Sequence, residues 1–313
     1  MGAAVHLIDD LYGAFVATLP PSLVEPAGAL AATLGLAPSP AVPWSQVFSH
    51  EVTLGAPRLV ADAMPSLPEA LVRDATLAHL LAIVEAFATD RVEDGQVAAT
   101  PTLVALLEQV RRGRDAALER VASPSSPSYA SAERETVAAI RAEQAALRSG
   151  EPVAFARYLA ISHGKQRVGL PASLALAGAA GWDAPRARSL ARMLDAVWVA
   201  LQLHDDVIDW EDDLARGGAW ATALAPAAPP LSVAAPVKER VHRSGVLARM
   251  LAASTRRFRA ARRRAEVLGA VRLAAWARDR EAVLGDLARR EAASPGFANR
   301  AHALSSWAKT VLA

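Results

Sequence analysis

The sequence predicts an all-α protein. Alanine, leucine and arginine dominate, β-branched residues are sparse, and no strand-like alternation is bracketed by hairpin turns. Short breaks rich in proline, glycine and serine divide the chain into helical segments. With 313 residues, 52% of them hydrophobic, the chain can bury one large core or two ordinary ones.

In chain order the breaks are "LPPS" near Pro20, "LAPSPAVPW" near Pro38, "MPSLP" near Pro65, "SPSSPS" near Pro124, "SGEP" near Gly150, "GWDAP" near Trp182, "APAAPP" near Pro229 and "SPG" near Pro295. They imply eight or more helices. None is long enough to be an interdomain linker and no internal repeat is visible, so a single domain over residues 1–313 is expected.

Composition excludes several classes of chemistry. There is no cysteine, which rules out disulfides, thiolate metal sites and cysteine nucleophiles, and the fold needs no oxidising compartment. The start, "MGAAVHLIDDLYGAF", lacks a basic leader followed by an apolar core. No uninterrupted apolar run reaches the roughly 18 residues of a membrane span. A cytoplasmic location without an integral membrane segment is therefore expected.

The net charge is +2, and Lys165, Lys238 and Lys309 are the only lysines. Arginine forks suit phosphates. The densest basic run, "TRRFRAARRRAE" at Thr255 to Glu266, reads first as a solvated helix face and second as an anion contact. Its helical spacing and few aromatics speak against nucleic acid. "HLIDD" at His6 and "WARDRE" at Trp276 have no spacing that demands chemistry, and surface roles are expected for them.

The chemistry-bearing stretch is "LQLHDDVIDWEDDLARGG", Leu201 to Gly218, which closes a helical segment expected from about Pro185 to Arg216. In a helix Asp205, Asp209 and Asp212 fall at i, i+4 and i+7, with Asp206 and Asp213 one residue further round, so the carboxylates share a face. Like charges one turn apart repel, and apolar neighbours raise the cost unless cations neutralise them. Clustered oxygen ligands suit Mg²⁺, which is usually held by one or two carboxylates together with water and substrate phosphates. The plainer reading is a solvated acidic face. Upstream, in "YLAISHGKQRVGLPASLALAGAAGWDAP", Lys165 precedes a helix of small residues and is suited to act as a point charge for phosphate. Its plainer reading is a surface lysine at a helix start. His163 and His204 stand near these motifs, but no helix carries two histidines at i, i+4, so neither is taken as a metal ligand.

From Tyr158 to Arg216 the sequence resembles the C-terminal half of the trans-polyprenyl diphosphate synthases, members of the class I isoprenoid (terpene) synthase superfamily. In that family a lysine before a small-residue helix is followed by a helix bearing FQxxDDxxD. Here Lys165 takes the lysine position, Gln202 the glutamine, and Asp205, Asp206 and Asp209 the aspartates. The resemblance implies an α-helical barrel around an apolar cavity, with Mg²⁺ ions that clamp a prenyl diphosphate, and a homodimer as the expected assembly.

The N-terminal half departs from the family. "LGAPRLV" at Leu54 to Val60 is similar to its GGKRLRP, keeping Gly55 and Arg58. The segment "AHLLAIVEAFATDRVEDGQVAATPT" is similar to the helix of the first aspartate motif, with His79 before it and Pro101–Thr102 after it. Where two adjacent aspartates belong, the chain has Ala86 and Phe87, which leaves Asp90, Glu93 and Asp94 lower on the same helix. Arg111, Arg112 and Gly113 follow the Pro-Thr pair instead of preceding it.

These departures weaken a second pocket for isopentenyl diphosphate more than they weaken ionisation. The resemblance thus implies first a Mg²⁺-dependent terpene synthase that ionises an allylic prenyl diphosphate and releases diphosphate. A prenyltransferase using isopentenyl diphosphate is the alternative, and a non-catalytic regulatory subunit of an isoprenoid synthase the second alternative. Under the first reading Asp205, Asp206 and Asp209, helped by Asp213, hold metal, and Asp90, Glu93 and Asp94 face them from the opposite helix. Lys165 and Arg58 grip the diphosphate. Phe87, Trp198 and Phe155 are candidates for the cavity wall, with core packing as their plainer role.

Overall fold

Every regular element among the described residues is helical, as the composition predicts. The computed structural model describes residues 2–122, 127–225 and 237–302, with side chains from Leu7 onward. The expected breaks at Pro124 and Pro229 lie outside these residues. The helices are α1 (Gly2–Val16), α2 (Pro21–Gly28), α3 (Leu30–Thr33), α4 (Trp44–Val47), α5 (Glu51–Val60), α6 (Glu69–Glu93), α7 (Pro101–Glu119), α8 (Tyr129–Arg148), α9 (Phe155–Lys165), α10 (Pro171–Ala179), α11 (Ala184–Ile208), α12 (Trp210–Arg216), α13 (Trp220–Leu224), α14 (Val237–Ser244), α15 (Val246–Leu268) and α16 (Val271–Ala293). Short 3₁₀ turns cover Ala61–Ala63 and Arg167–Gly169.

The predicted breaks near Pro20 and Gly150, and further helix starts at Pro101 and Pro171 that no predicted break marks, follow ordinary capping chemistry. Pro21, Pro101 and Pro171 open their helices at a position where the missing N–H has no intrahelical partner to lose. Ahead of Pro101, the Thr100 hydroxyl accepts from the Leu103 amide at 3.2 Å, so the "TPT" stretch sets the start of α7. In "SGEP", Gly150 follows α8 with a φ of 67°, a left-handed conformation that a side chain would strain.

The helices form two compact units, each assembled from sequence-distant segments, which explains why no linker is legible. Unit 1 comprises Met1–Thr136, Arg167–Ala191 and Val267–Arg272. Unit 2 comprises Val137–Gln166, Arg192–Glu266 and Leu273–Ala313. Among the described residues no helix is long and apolar enough to cross a membrane.

In unit 1, α6 packs against α1, α5, α7 and α10. Its residues Ala78 to Glu85 are buried without interruption, the signature of a helix enclosed on all sides. The enclosure brings in polar groups that must be satisfied. Glu85, 4% exposed, meets two arginines of α7: Arg111 at 2.6 Å and Arg114 at 2.5 Å. Arg114, 2% exposed, also pairs with Asp115 and with Glu133 of α8, and lies 4.6 Å from the centroid of the Tyr129 ring. Gly113 is a packing glycine, because a Cβ there would approach the Phe15 ring to 2.7 Å. The out-of-place Arg-Arg-Gly is thus part of the scaffold of unit 1. "HLIDD" is not purely surface either, since Asp9 accepts from the Ser45 amide at 3.0 Å and the Ser45 hydroxyl at 2.5 Å, tying α1 to α4.

His79 is fully buried and donates from Nε2 to the Thr53 carbonyl of α5 at 3.0 Å. Burial pushes its pKa down to about 4. The unfolded chain protonates this ring near pH 6.5 and the folded chain only near 4, so stability present above pH 6.5 is lost as pH falls through that window. The loss is expected to reach about 3 kcal/mol. Denaturation midpoints of wild type and His79→Gln between pH 7 and 4 check it. Parallel curves would refute the assignment.

In unit 2, α15 buries Met250, Leu251, Ser254, Phe258, Ala261 and Ala265 at helical spacing. The Ser254 hydroxyl donates to the Ala200 carbonyl of α11 at 2.7 Å. Phe258 meets Trp276 of α16 edge-on at 5.4 Å, so "WARDRE" contributes a core contact as well as surface charge. Glu291, 3% exposed, accepts from the Gly296 and Ala298 amides and closes the "SPG" break after α16.

Candidate functional site

The acidic stretch does not form the one long helix expected from Pro185 to Arg216. α11 ends at Ile208, Asp209 adopts φ −102° and ψ 4°, and α12 begins at Trp210. The cause lies far away in sequence. The Asn299 side-chain amide donates to the carbonyls of Val207 and Ile208 at 3.3 and 3.1 Å, while its oxygen accepts from the Trp210 indole at 3.2 Å. A side chain inserted at helix carbonyls breaks the ladder locally. The turn-to-turn pitch nevertheless survives, because the Asp209 amide donates to the Asp205 carbonyl and the Asp213 amide to the Asp209 carbonyl, both at 2.9 Å. The expected i, i+4 register of the aspartates is kept across the break.

Unit 2 gathers Lys165, Gln202, Asp206, Asp209 and Asp213 around a polar cluster whose other members the motif reading passed over. Tyr158, Ser162 and Lys165 recur at i, i+4 and i+7 on one face of α9. The Tyr158 hydroxyl donates to Asp206 Oδ2 at 2.6 Å. Gln202 Nε2 donates to Asp206 Oδ1 at 2.9 Å, and Gln166 Nε2 donates to Gln202 Oε1 at 3.2 Å. Lys165 Nζ pairs with Glu143 of α8, whose other oxygen accepts from the Trp220 indole at 2.6 Å. Trp220 stacks edge-on against Tyr158 at 4.9 Å. Glu143 has no family motif around it, and only its position on the inner face of a mixed helix, "AAIRAEQAAL", hinted at burial.

The electrostatics of this cluster are short of positive charge. Asp206 is 6% exposed, and burial, then the neighbouring Glu143, push its carboxyl up to about 8, against the lowering effects of Tyr158, Gln202 and Lys165. Burial also raises Asp213 to about 6, with Asp209 and Glu143 adding to the rise and Arg216 and Lys165 opposing it. Asp209 is raised by burial and by Asp205 and Asp212. Asp205, with a side chain 56% exposed, lies 3.6 Å from His204 Nδ1, and Asp209 lies 4.0 Å from His302. Several carboxylates therefore press on one another around Lys165, which pairs with Glu143, and Arg216, which pairs with Asp213 at 3.2 Å.

Among the described residues no three Asp, Glu or His side chains converge as a ready-made metal cage. The donor set fits a different mode. Mg²⁺ binds through one or two carboxylates plus phosphate oxygens and water, and carboxyls whose pKa is raised by burial and mutual repulsion ionise more readily when positive charge arrives. The residues suit an ion that arrives with a diphosphate.

Asp90, Glu93, Asp94, Phe87 and Arg58 belong to unit 1. Asp90 and Glu93 occupy the last turn of α6 and Asp94 caps it, accepting from Gln96 at 3.4 Å. Phe87 stacks on Phe48 with centroids 4.9 Å apart, at the margin of the apolar cluster of α1, α6 and α7. Arg58 lies on α5, where its Nε is buried without a hydrogen-bond partner and its carbonyl accepts from Arg272. Of the aromatic wall candidates in unit 2, Trp198 is buried in α11 and Phe155 lines a surface cavity of about 420 Å³ between α9, α11 and α15.

No protein-family model matches the sequence, and no curated protein matches it. Solved structures do match by shape. The polyprenyl synthase from Caulobacter crescentus CB15, complexed with calcium and isoprenyl diphosphate, superposes with a TM-score of 0.62 at 17% identity, over 88% of this chain and 94% of that one. The polyprenyl synthetase from Streptomyces coelicolor A3(2) gives 0.59 at 16% identity, over 88% and 97%. The chain has the all-α isoprenoid synthase fold of these proteins.

Proposed function

We propose that the protein is an isoprenoid synthase that binds a prenyl diphosphate at Lys165 and the Asp205–Asp213 face and ionises it. The observation that carries this reading is the cluster itself: one ammonium and several mutually repelling carboxyls, set on α9, α11 and α12 of a fold shared with polyprenyl synthases. Lys165 would bind the diphosphate as a point charge, exchanging part of its contact with Glu143 for phosphate oxygens. Asp205, Asp206 and Asp209, with Asp213 beside them, would hold Mg²⁺. When bound together with the diphosphate, Mg²⁺ supplies Lewis-acid charge to the leaving group. Tyr158 and Gln202 fix the Asp206 carboxyl through both its oxygens, so its orientation is set before a ligand enters.

A second reading, chain elongation with isopentenyl diphosphate, is favoured by a specific observation: the Caulobacter and Streptomyces structures that this fold matches are a polyprenyl synthase and a polyprenyl synthetase. The decayed first motif at Ala86 and Phe87 favours ionisation of one substrate. Incubating the protein and Mg²⁺ with geranyl, farnesyl or geranylgeranyl diphosphate, each with and without isopentenyl diphosphate, separates the readings. Pyrophosphate release from a single substrate supports a terpene synthase, and release only with isopentenyl diphosphate supports a prenyltransferase. No release in any mixture would overturn both and favour a binding or regulatory subunit.

Lys165→Ala is expected to raise KM for the diphosphate by tenfold or more, since a hydrogen bond to a charged group is worth about 1.5–3 kcal/mol. Thermal stability should change less, because the partner left behind, Glu143, keeps its bond to Trp220. A variant that lost stability at unchanged KM would make the lysine structural.

A further inference from the structure

The arginine run of α15 is not one uniform solvated face, because five of its six arginines divide by helical period into two settings, the sixth, Arg263, being exposed. Arg259 and Arg262 pair with Glu281 of α16, at 2.6 and 3.0 Å. Arg256, Arg257 and Arg264, with Ala253 and Ala260, instead line the cavity of about 420 Å³ in unit 2. Positions 253, 256, 257, 260 and 264 make one helical stripe. α11 adds Arg192, Asp195 and Ala196, and α9 adds Phe155, Leu159 and His163. These α9 residues recur at i, i+4 and i+8, on a face adjoining the one that carries Tyr158 and Lys165.

The lining has two chemical characters. Four guanidiniums face the cavity against one carboxylate. Arg257 is half-buried, its Nη1 lies 3.4 Å from His163 Nε2, and burial, opposed by Tyr158 and Asp195 and aided by the like charge of Arg256, disfavours its protonated form. Beside the charges, Phe155, Leu159 and three alanines supply apolar wall. A volume of about 420 Å³ falls in the range of small-ligand pockets. A concave site walled by three helices does not match the open basic stripe that tracks a nucleic-acid backbone.

We propose that this cavity is a second ligand site, separate from the Lys165 cluster, that binds an organic diphosphate: the guanidiniums of Arg192, Arg256, Arg257 and Arg264 take the phosphates, and Phe155 and Leu159 cover a short apolar group. Guanidinium forks bind phosphate oxygens in pairs, and a double negative charge relieves the repulsion among them. The proposal does not depend on what reaction the protein performs.

The test uses the full chain carrying Lys165→Ala, in EDTA, so that the ammonium of the first site and all divalent cations are removed. Calorimetric titration with inorganic pyrophosphate is expected to give one saturable site. Adding Arg256→Gln and Arg264→Gln should weaken it by at least about tenfold. Arg256 is exposed and Arg264 half-buried, so both substitutions should leave the helical circular dichroism intact. Geranyl diphosphate should bind the Lys165→Ala chain about tenfold more tightly than pyrophosphate, and Leu159→Asp should erase that advantage. Absence of pyrophosphate binding, or equal binding after loss of the two arginines, overturns the site. Equal affinity for pyrophosphate and geranyl diphosphate overturns the organic ligand and leaves inorganic diphosphate as the occupant.

Discussion

Arg114→Ala is expected to destabilise the protein by about 3–5 kcal/mol, the range for removing one partner of a buried ion pair. The guanidinium is 2% exposed and serves Glu85, Asp115 and Glu133 at once while lying over Tyr129. Its loss leaves Glu85, 4% exposed, with Arg111 alone. Glu133 and Tyr129 of α8 lose their anchor to α7. The double variant Arg114→Met with Glu85→Gln should recover much of the loss, because it removes charge from both sides of the pair. Urea midpoints for the three proteins measure this. A single variant within about 1 kcal/mol of wild type would mean that the network is electrostatically idle, as many ion pairs are.

Asp205→Ala and Asp209→Ala are each expected to lower turnover by about a thousandfold, the upper range for deleting one group that stabilises developing charge. Both side chains are about half exposed and repel their neighbours. Their removal should leave the fold intact and raise stability by a few tenths of a kcal/mol. Asp212→Ala is the internal control: it removes an exposed carboxylate of α12 outside the five positions matched to the motif, and turnover should persist. Steady-state pyrophosphate release with each allylic diphosphate reads all three variants. Full activity of Asp205→Ala and Asp209→Ala would sink the metal-holding role of this face. A drop in Asp212→Ala equal to theirs would point to summed charge and not to ligation.

Much of this site was legible because its parts are local. Asp205, Asp209 and Asp213 are one turn apart whatever surrounds them, and the placement of Gln202 within a helix follows from apolar period and breakers, whereas Lys165, expected at a helix start, closes α9 instead. The same locality placed Asp90 and Glu93 in the last turn of α6. Glu143 was not legible, because a glutamate in a mixed helix gives no sign that a lysine and an indole from later segments will fold onto it. Glu85 gives no sign for the same reason, since its partners Arg111 and Arg114 lie on the next long helix.

The sequence by itself determined the helical class, the starts and stops that proline, glycine and Thr100 impose, and the alignment of acidic groups on one face. Those are consequences of backbone stereochemistry and of a period of 3.6 residues, which act over one or two turns. The tertiary structure alone decided that the acidic helix breaks at Asp209, because the group competing for its carbonyls is Asn299. It alone decided that Asp206 is a buried carboxyl raised to about 8 while Asp205 stays exposed. It also turned Arg259 and Arg262 of one arginine run onto Glu281, and Arg256, Arg257 and Arg264 of the same run onto the cavity beside α9. Hydrogen-bond competition and desolvation depend on which distant side chains arrive, and no local pattern encodes their arrival.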